Sequence, residues 1–258
     1  MLSWLFPPSC PCEPESKGWV EERLEWLAEE FDDSAFNGRR LVLPTADFFP
    51  APYDGSEEAV RVLFDQVCEY MDVIPDLVDL KLVTNTSQLW IVNGSGQALP
   101  PAAGGTYQER FGRFLIHLDT SEMHDPVGMV GVMAHELAHA RLLGEGRIMS
   151  EIFDNELLTD LTVVHFGLGI FLANSPRNWA GQTSLWPGTK VKRTEYMSPP
   201  MFGWALAHLA WFRGEERPAW GAHLHPGARA NLKEGVRYLF ATSDSAYKPV
   251  RLRKRPRR

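Results

Sequence analysis

The segment His135-Glu136-Leu137-Ala138-His139 has the residue types and the spacing of a metal-binding helix. Side chains four positions apart share one face of an α-helix, so both imidazoles would point the same way. Glu136 would lie roughly 100° round the helix, beside them. Two neutral imidazoles bind Zn²⁺ well, and a nearby carboxylate can take a proton from water that the metal activates. The segment therefore predicts a catalytic zinc site if a third ligand follows.

A second segment with two carboxylates comes later in the chain. Glu156 and Asp160 are four positions apart, which places them on one face of a helix. Glu156 follows His139 at a distance that allows a loop and an antiparallel return. It can complete a site of two histidines and one glutamate, and Asp160 can accept a hydrogen bond from a ligand imidazole. Three nearby acidic residues fit a loop or a helix start better: Glu145, Glu151 and Asp154.

The sequence H-E-L-A-H followed by N-E-L-L-T-D resembles the gluzincin group of zinc metallopeptidases, over roughly Arg113 to Ser175. A metzincin would have a third histidine shortly after the first motif, where this chain has Gly144-Glu145-Gly146. The residues that flank the motifs also resemble those of uncharacterised bacterial proteins of this kind. The resemblance implies a zincin-like fold, but no particular substrate.

The resemblance also implies a role for each side chain of the site. Zn²⁺ would be held by His135, His139 and Glu156, with Glu136 as the general base that later delivers the proton to the leaving amine. Many gluzincins place a Tyr or a His beside the zinc to stabilise the oxyanion. Tyr196, in an extended segment after a loop, is the candidate for that donor.

The strand before the motif helix has an expected role as well. In gluzincin-like folds this strand borders the cleft and pairs with extended peptide backbone, and the resemblance assigns that part to Phe114–Leu118. His117 alternates with the apolar face of this strand, so it is a candidate for lining the cleft.

Two helices must position the predicted ligands. Asp125 followed by Pro126 predicts an N-cap and a first turn, and Gly144 predicts a stop. The motif helix is therefore expected from Pro126 to Leu143. The glutamate helix is expected over Asp154–Ala173.

The remaining elements are predicted from apolar spacing and turn residues. Strands are expected at residues 40–44, 78–82, 89–92 and 113–118, and further helices at residues 20–31, 56–71, 201–212 and 226–240. Residues 99–105 are predicted to be a loop, and residues 174–192 a loop over the site. The predicted class is α+β, with a small N-terminal mixed sheet and a mostly helical C-terminal part.

Other side chains that can bind metals have a structural interpretation. His165 comes nine positions after the glutamate, about half a turn away, and faces the other side of the helix. His208 is expected to be a core histidine that forms hydrogen bonds, and His223 and His225 are expected in turns at the surface. Cys12 could reach the zinc and block it, as inhibitory cysteines do in some latent proteases, but nothing around it resembles a propeptide.

Composition places the chain among globular proteins of a reducing compartment. Its 258 residues can bury a full core. Cys10, Cys12 and Cys68 cannot form a disulfide framework. No apolar run approaches a membrane span, and the start lacks the basic region of a signal peptide. We expect a cytoplasmic, bacterial protein without a membrane partner. It would have a flexible arm (residues 1–18), one metallopeptidase domain (residues 19–247) and a basic tail (residues 248–258); its oligomeric state is not indicated.

The net charge of −7 conceals an asymmetry along the chain. Residues 248–258 hold seven basic side chains and no acidic one, which leaves 19 basic against 33 acidic residues elsewhere. Such a short tail fits a solvated, disordered segment. The alternative is a tether to nucleic acid or another anionic surface, which would add affinity without specificity.

Two functions of different classes are consistent with these features. The first is a zinc-dependent peptidase acting on peptide or protein substrates. The second is a regulatory or partner-binding protein in which zinc is structural or senses a partner. Glu136 argues against the second, because a structural site has no use for a general base and tends to fill its fourth position with a protein ligand.

Deletion of residues 248–258 should leave zinc content and peptide hydrolysis unchanged, because the tail has too few apolar residues to pack on the body. If the tail binds nucleic acid, the full-length protein should bind it with little sequence preference and lose affinity steeply as salt rises. Binding measured at low and moderate salt, with and without the tail, decides between the two interpretations. A deletion that abolished hydrolysis would contradict both.

Overall fold

The computed structural model describes residues 7–31, 38–84, 91–92, 98–99, 105–110, 113–175 and 183–249. In these ranges the chain is α+β, as predicted, with seven α-helices and seven short strands. The helices are α1 (Pro14–Phe31), α2 (Glu57–Tyr70), α3 (Pro126–His139), α4 (Asn155–His165), α5 (Gly169–Asn174), α6 (Pro199–Arg213) and α7 (Pro226–Thr242). The strands are β1 (Val78–Val83), β2 (Ile91–Val92), β3 (Ala98–Leu99), β4 (Gly105–Arg110), β5 (Arg113–Asp119), β6 (Thr183–Leu185) and β7 (Lys192–Thr194). None of the described helices is long and apolar enough to cross a membrane.

The chain divides into two compact units, and one of them is Leu41–Asn155. Its sheet has the order β1-β5-β4, with β1 parallel and β4 antiparallel to the central β5. Ile116 and Leu118 of β5 are fully buried, and α2 packs on α3. Ser56 caps α2, since its side chain accepts a hydrogen bond from the Ala59 N–H.

The central position of β5 corrects one expectation. Phe114–Leu118 was expected to pair with extended peptide, but its backbone is already paired with β1 on one side and with β4 on the other. That prediction is wrong because β4 was missed. The segment Gly105–Arg110 shows no alternation of apolar and polar residues, and the cross-strand pairing that makes it a strand is not visible in its own sequence. In the described part of this sheet, the outer strands are β1 and β4.

The other unit comprises Met1–Arg40 and Glu156–Arg258. Its core includes α6, which packs on both α1 and α7, with Trp204 and Trp211 among its largest buried side chains. α6 has Ser198 as its N-cap residue and ends at Gly214 in the left-handed conformation, with φ of +75°. The strands β6 and β7 form a separate antiparallel pair.

The predicted glutamate helix is two helices. It was expected to run unbroken over Asp154–Ala173, but α4 ends at His165 and α5 begins at Gly169. Between them Gly167 has φ of +89°. This conformation lets the N–H of Leu168 reach the carbonyl oxygen of Val163 at 3.0 Å and end the helix.

Other predicted bounds differ where local signals were weak. Residues 40–44 form no strand, although Leu41 and Val42 are buried. α1 begins at Pro14, so it includes the end of the predicted flexible arm. The predicted loop over residues 174–192 contains β6. The predicted strand at residues 89–92 lies partly outside the described residues, as do most of the predicted loop at residues 99–105 and nearly all of the basic tail.

The close approach of α6 and α7 yields a stability prediction. A Cβ atom on Gly203 would lie 2.4 Å from the Cβ of Asn231 and 2.8 Å from its carbonyl carbon. Gly203→Ala should therefore lower the free energy of unfolding by about 1–3 kcal/mol, measured by chemical denaturation.

Gly227→Ala is the matched control in α7, because a Cβ there would have nothing within 4 Å. Alanine is a better helix former, so this variant should be as stable as the wild type or more so by up to about 1 kcal/mol. Equal unfolding free energies for the two variants would contradict the proposed close packing.

Candidate metal centre

The motif helix α3 begins as its sequence predicted. The carboxylate of Asp125 accepts a hydrogen bond from the Gly128 N–H at 3.0 Å, and Pro126 is the first helical residue. A Cβ on Gly128 would lie 2.5 Å from the nearer carboxylate oxygen of Asp125. Glycine at this position therefore leaves room for the cap.

The helix does not end as predicted. After His139 the chain continues as a π-helical turn, Ala140–Gly144. The N–H of Glu145 donates to the carbonyl oxygen of Ala140 at 3.1 Å, and Gly146 follows with φ of +66°. Turns with this hydrogen bond are common where a helix ends, and the glycine with positive φ completes the ending.

The three polar side chains of the motif are buried in an apolar helix. His135, Glu136 and His139 are 4%, 3% and 8% exposed. The imidazole centroids are 4.8 Å apart and the rings are nearly perpendicular, at 88°. The two histidines therefore share one face of α3, as their spacing predicted.

The sheet supports His139 through Tyr107, a residue that the sequence interpretation missed. The Tyr107 ring of β4 stacks on the imidazole, with centroids 6.0 Å apart and planes at 23°. Gly144 makes room for this arrangement, since a Cβ there would lie 2.3 Å from Cε1 of Phe114 and 2.7 Å from the hydroxyl oxygen of Tyr107. No local signal could identify Tyr107, because β4 itself was not predicted.

Glu156 lies in the first turn of α4 and is half-buried. One ligand atom from each of His135, His139 and Glu156 lies within 4.8 Å of the others. Among the described residues, these three side chains form the cluster of histidine, cysteine or acidic residues that could hold a metal ion. Tetrahedral ligands at zinc distances of about 2.0–2.2 Å are roughly 3.3–3.6 Å apart. The donor set fits Zn²⁺ after side-chain shifts of about an ångström.

Asp160 is fully buried one turn after Glu156. Its carboxylate accepts a hydrogen bond from the Met197 N–H at 3.0 Å. Asp160 thus fixes the backbone beside Tyr196, whose own carbonyl oxygen accepts a hydrogen bond from the Thr194 hydroxyl. The predicted orienting contact from Asp160 to a ligand imidazole stays a prediction, as does the oxyanion role of Tyr196.

Glu195 adds a carboxylate that the sequence interpretation did not identify. Burial raises the pKa of Glu195, and the charge of Glu156 raises it further, while Arg193 opposes the shift. The side chain of Glu195 is therefore close enough to Glu156 to feel its charge. Its position after β7 gives no signal of this proximity in the sequence.

The remaining candidates lie outside the three-residue cluster. His165 is 2% exposed, and burial followed by the charge of Arg39 lowers its pKa to about 3. His208 is a core histidine, as predicted, with ring nitrogens 3.0 Å from the Trp204 carbonyl oxygen and 2.8 Å from the Ser245 hydroxyl. The others outside the cluster are His117, His223, His225 and Cys12.

Comparison with known proteins finds no match for the chain among family models, curated proteins or solved structures. The gluzincin resemblance therefore rests on the two motifs and the residues that flank them.

Asp160 yields a prediction with a matched pair of variants. Asp160→Ala removes the acceptor of the Met197 N–H, and Met197 is fully buried. The loss should cost about 1–3 kcal/mol of unfolding free energy. Asp160→Asn keeps an acceptor oxygen, so it should lower the free energy of unfolding much less.

Zinc affinity should fall roughly 10–100-fold in both variants, because orientation of a ligand imidazole depends on the carboxylate. Denaturation curves and competitive zinc titration measure the two effects separately. Unchanged zinc affinity in both variants would rule out the orienting role and leave only the contact with Met197.

Proposed function

We propose that this protein is a zinc-dependent metallopeptidase. The observation that carries the proposal is the grouping of His135, His139 and Glu156 within 4.8 Å, with Glu136 next to one ligand on the same buried helix. Two imidazoles and one carboxylate are the donor set of catalytic zinc sites, which keep one position open. A site that only stabilised the fold would need a fourth protein ligand.

The roles follow from the chemistry of the side chains. Bound Zn²⁺ supplies Lewis-acid chemistry, which activates water and polarises a carbonyl group. Glu136 takes the proton of the attacking water and passes it to the leaving amine. Tyr196 is the candidate hydrogen-bond donor to the developing oxyanion.

Extended peptide would bind by pairing with β4 rather than with β5. In the described part of the sheet, β4 is an outer strand, and its Tyr107 stacks on the proposed ligand His139. Backbone pairing at such an edge orders a peptide independently of its side chains. The substrate class is therefore a peptide or protein segment in extended conformation.

The depth of the site favours a second candidate, a zinc-binding protein that recognises one partner and has little general peptidase activity. Glu136 is only 3% exposed, so a generic peptide has little direct access to it. Activity on one dedicated protein would lie between the two candidates.

The first test is metal analysis with activity. Purified protein should carry about one zinc, and His135→Ala or His139→Ala should remove it. Glu136→Gln should retain zinc but lose about 10²–10⁴-fold in hydrolysis of a diverse peptide library, because the proton acceptor is gone.

Glu151→Gln is the control, since Glu151 is an exposed acidic residue between α3 and α4. It should match the wild type in both measurements. Hydrolysis by Glu136→Gln at the wild-type rate would refute the mechanism. One bound zinc with no hydrolysis by the wild type would favour the partner-binding candidate.

A further inference from the structure

The segment before α1 places two thiols side by side. Cys10 and Cys12 are separated by Pro11, and the chain bends at Pro11 and Cys12. The two side chains are hydrogen-bonded to each other, and the backbone N–H of Cys12 also donates to the sulfur of Cys10. Both cysteines are free thiols and partly exposed.

The bend brings the two residues within reach of a disulfide. Fully extended, two residues span about 6.6–7.2 Å, and a bent chain is shorter. Disulfides join Cα atoms about 4.4–6.8 Å apart. Contacts on both sides hold the bend, because Ser9 donates a hydrogen bond to Glu234 of α7 and α1 begins at Pro14.

The surroundings distinguish the two thiols. The hydrogen bond from the Cys12 side chain lowers the pKa of Cys10 against the opposing effect of burial, and the Cys12 N–H and the charge of Lys17 act in the same direction. Glu21 opposes them. The pKa of Cys12 is raised, first by its hydrogen bond to Cys10 and then by burial. Cys10 is therefore the better nucleophile, and Cys12 is the thiol that reacts second.

We propose that Cys10 and Cys12 form a redox-active dithiol that reacts with low-molecular-weight disulfides of the glutathione class. The Cys10 thiolate attacks one sulfur of the small disulfide and releases one small thiolate, which leaves a mixed disulfide on Cys10. The Cys12 thiol loses its proton to solvent and attacks the Cys10 sulfur. This step releases the second small thiolate and closes the Cys10–Cys12 bond. The protein is oxidised by two electrons, and one small disulfide is reduced to two thiols.

The third cysteine provides an internal control. Cys68 in α2 is fully buried, and burial followed by the charge of Asp65 raises its pKa to about 12. It should stay reduced in the folded protein under conditions that oxidise the pair.

The experiment uses the full-length protein with excess oxidised glutathione, read by intact mass and peptide mapping. The wild type should lose two hydrogen atoms, carry no glutathione and show a Cys10–Cys12 link. Cys12→Ser should retain one glutathione on Cys10, because the second attack is impossible. Cys10→Ser should be modified at Cys12 at least about tenfold more slowly. Cys68→Ser should behave as the wild type.

Three results would overturn the inference. They are a stable glutathione adduct on the wild type, equal modification rates for Cys10→Ser and Cys12→Ser, and no reaction at Cys10 within the time that denatured protein needs to react fully. None of these readouts requires bound zinc or peptide hydrolysis. The inference therefore stands or falls separately from the proposed metallopeptidase function.

Discussion

The burial of charged and polar groups inside an apolar helix is the constraint on which the candidate site depends. α3 consists otherwise of small and aliphatic residues, and His135, Glu136 and His139 are all less than 9% exposed. Burial of a polar group costs free energy that its contacts must offset. Coordination of a metal would add to these contacts, because the two imidazoles already share one face of the helix.

Residues around this helix contact its side chains and the backbone near them. Tyr107 stacks on the imidazole of His139, and Gly144 in the π-turn leaves the space that Tyr107 and Phe114 occupy. Asp160 holds the Met197 backbone. The Tyr107 ring restricts the imidazole of His139, and the Asp160 carboxylate restricts the backbone at Met197. Catalysis at the proposed site would benefit from such restriction, since the geometry would be fixed before a substrate binds.

Features that depend on a few neighbouring residues could be predicted, and features that depend on distant pairing could not. The start of α3 follows from Asp125 and Pro126 alone, and the grouping of the histidines follows from helical spacing. β4 is a strand because it pairs with β5, which its own composition does not indicate. Because β4 was not predicted, β5 was expected to lie at the edge of the sheet. The break after His165 depends on Gly167, a residue that helix periodicity alone cannot distinguish from a tolerated helical glycine.

The acidic surroundings of Glu156 bear on what the cluster can hold. Glu195 is close enough for the charge of Glu156 to raise its pKa, and Arg193 offsets this effect in part. The two imidazoles are uncharged when they act as ligands, so the donor set itself contributes negative charge only through the carboxylate. Like charges in a partly buried place are unfavourable unless a cation lies among them. A divalent ion at His135, His139 and Glu156 would supply that cation where the side chains already converge. Without such a cation, the same electrostatics disfavours an anionic ligand beside Glu156, which is consistent with the proposed metal site.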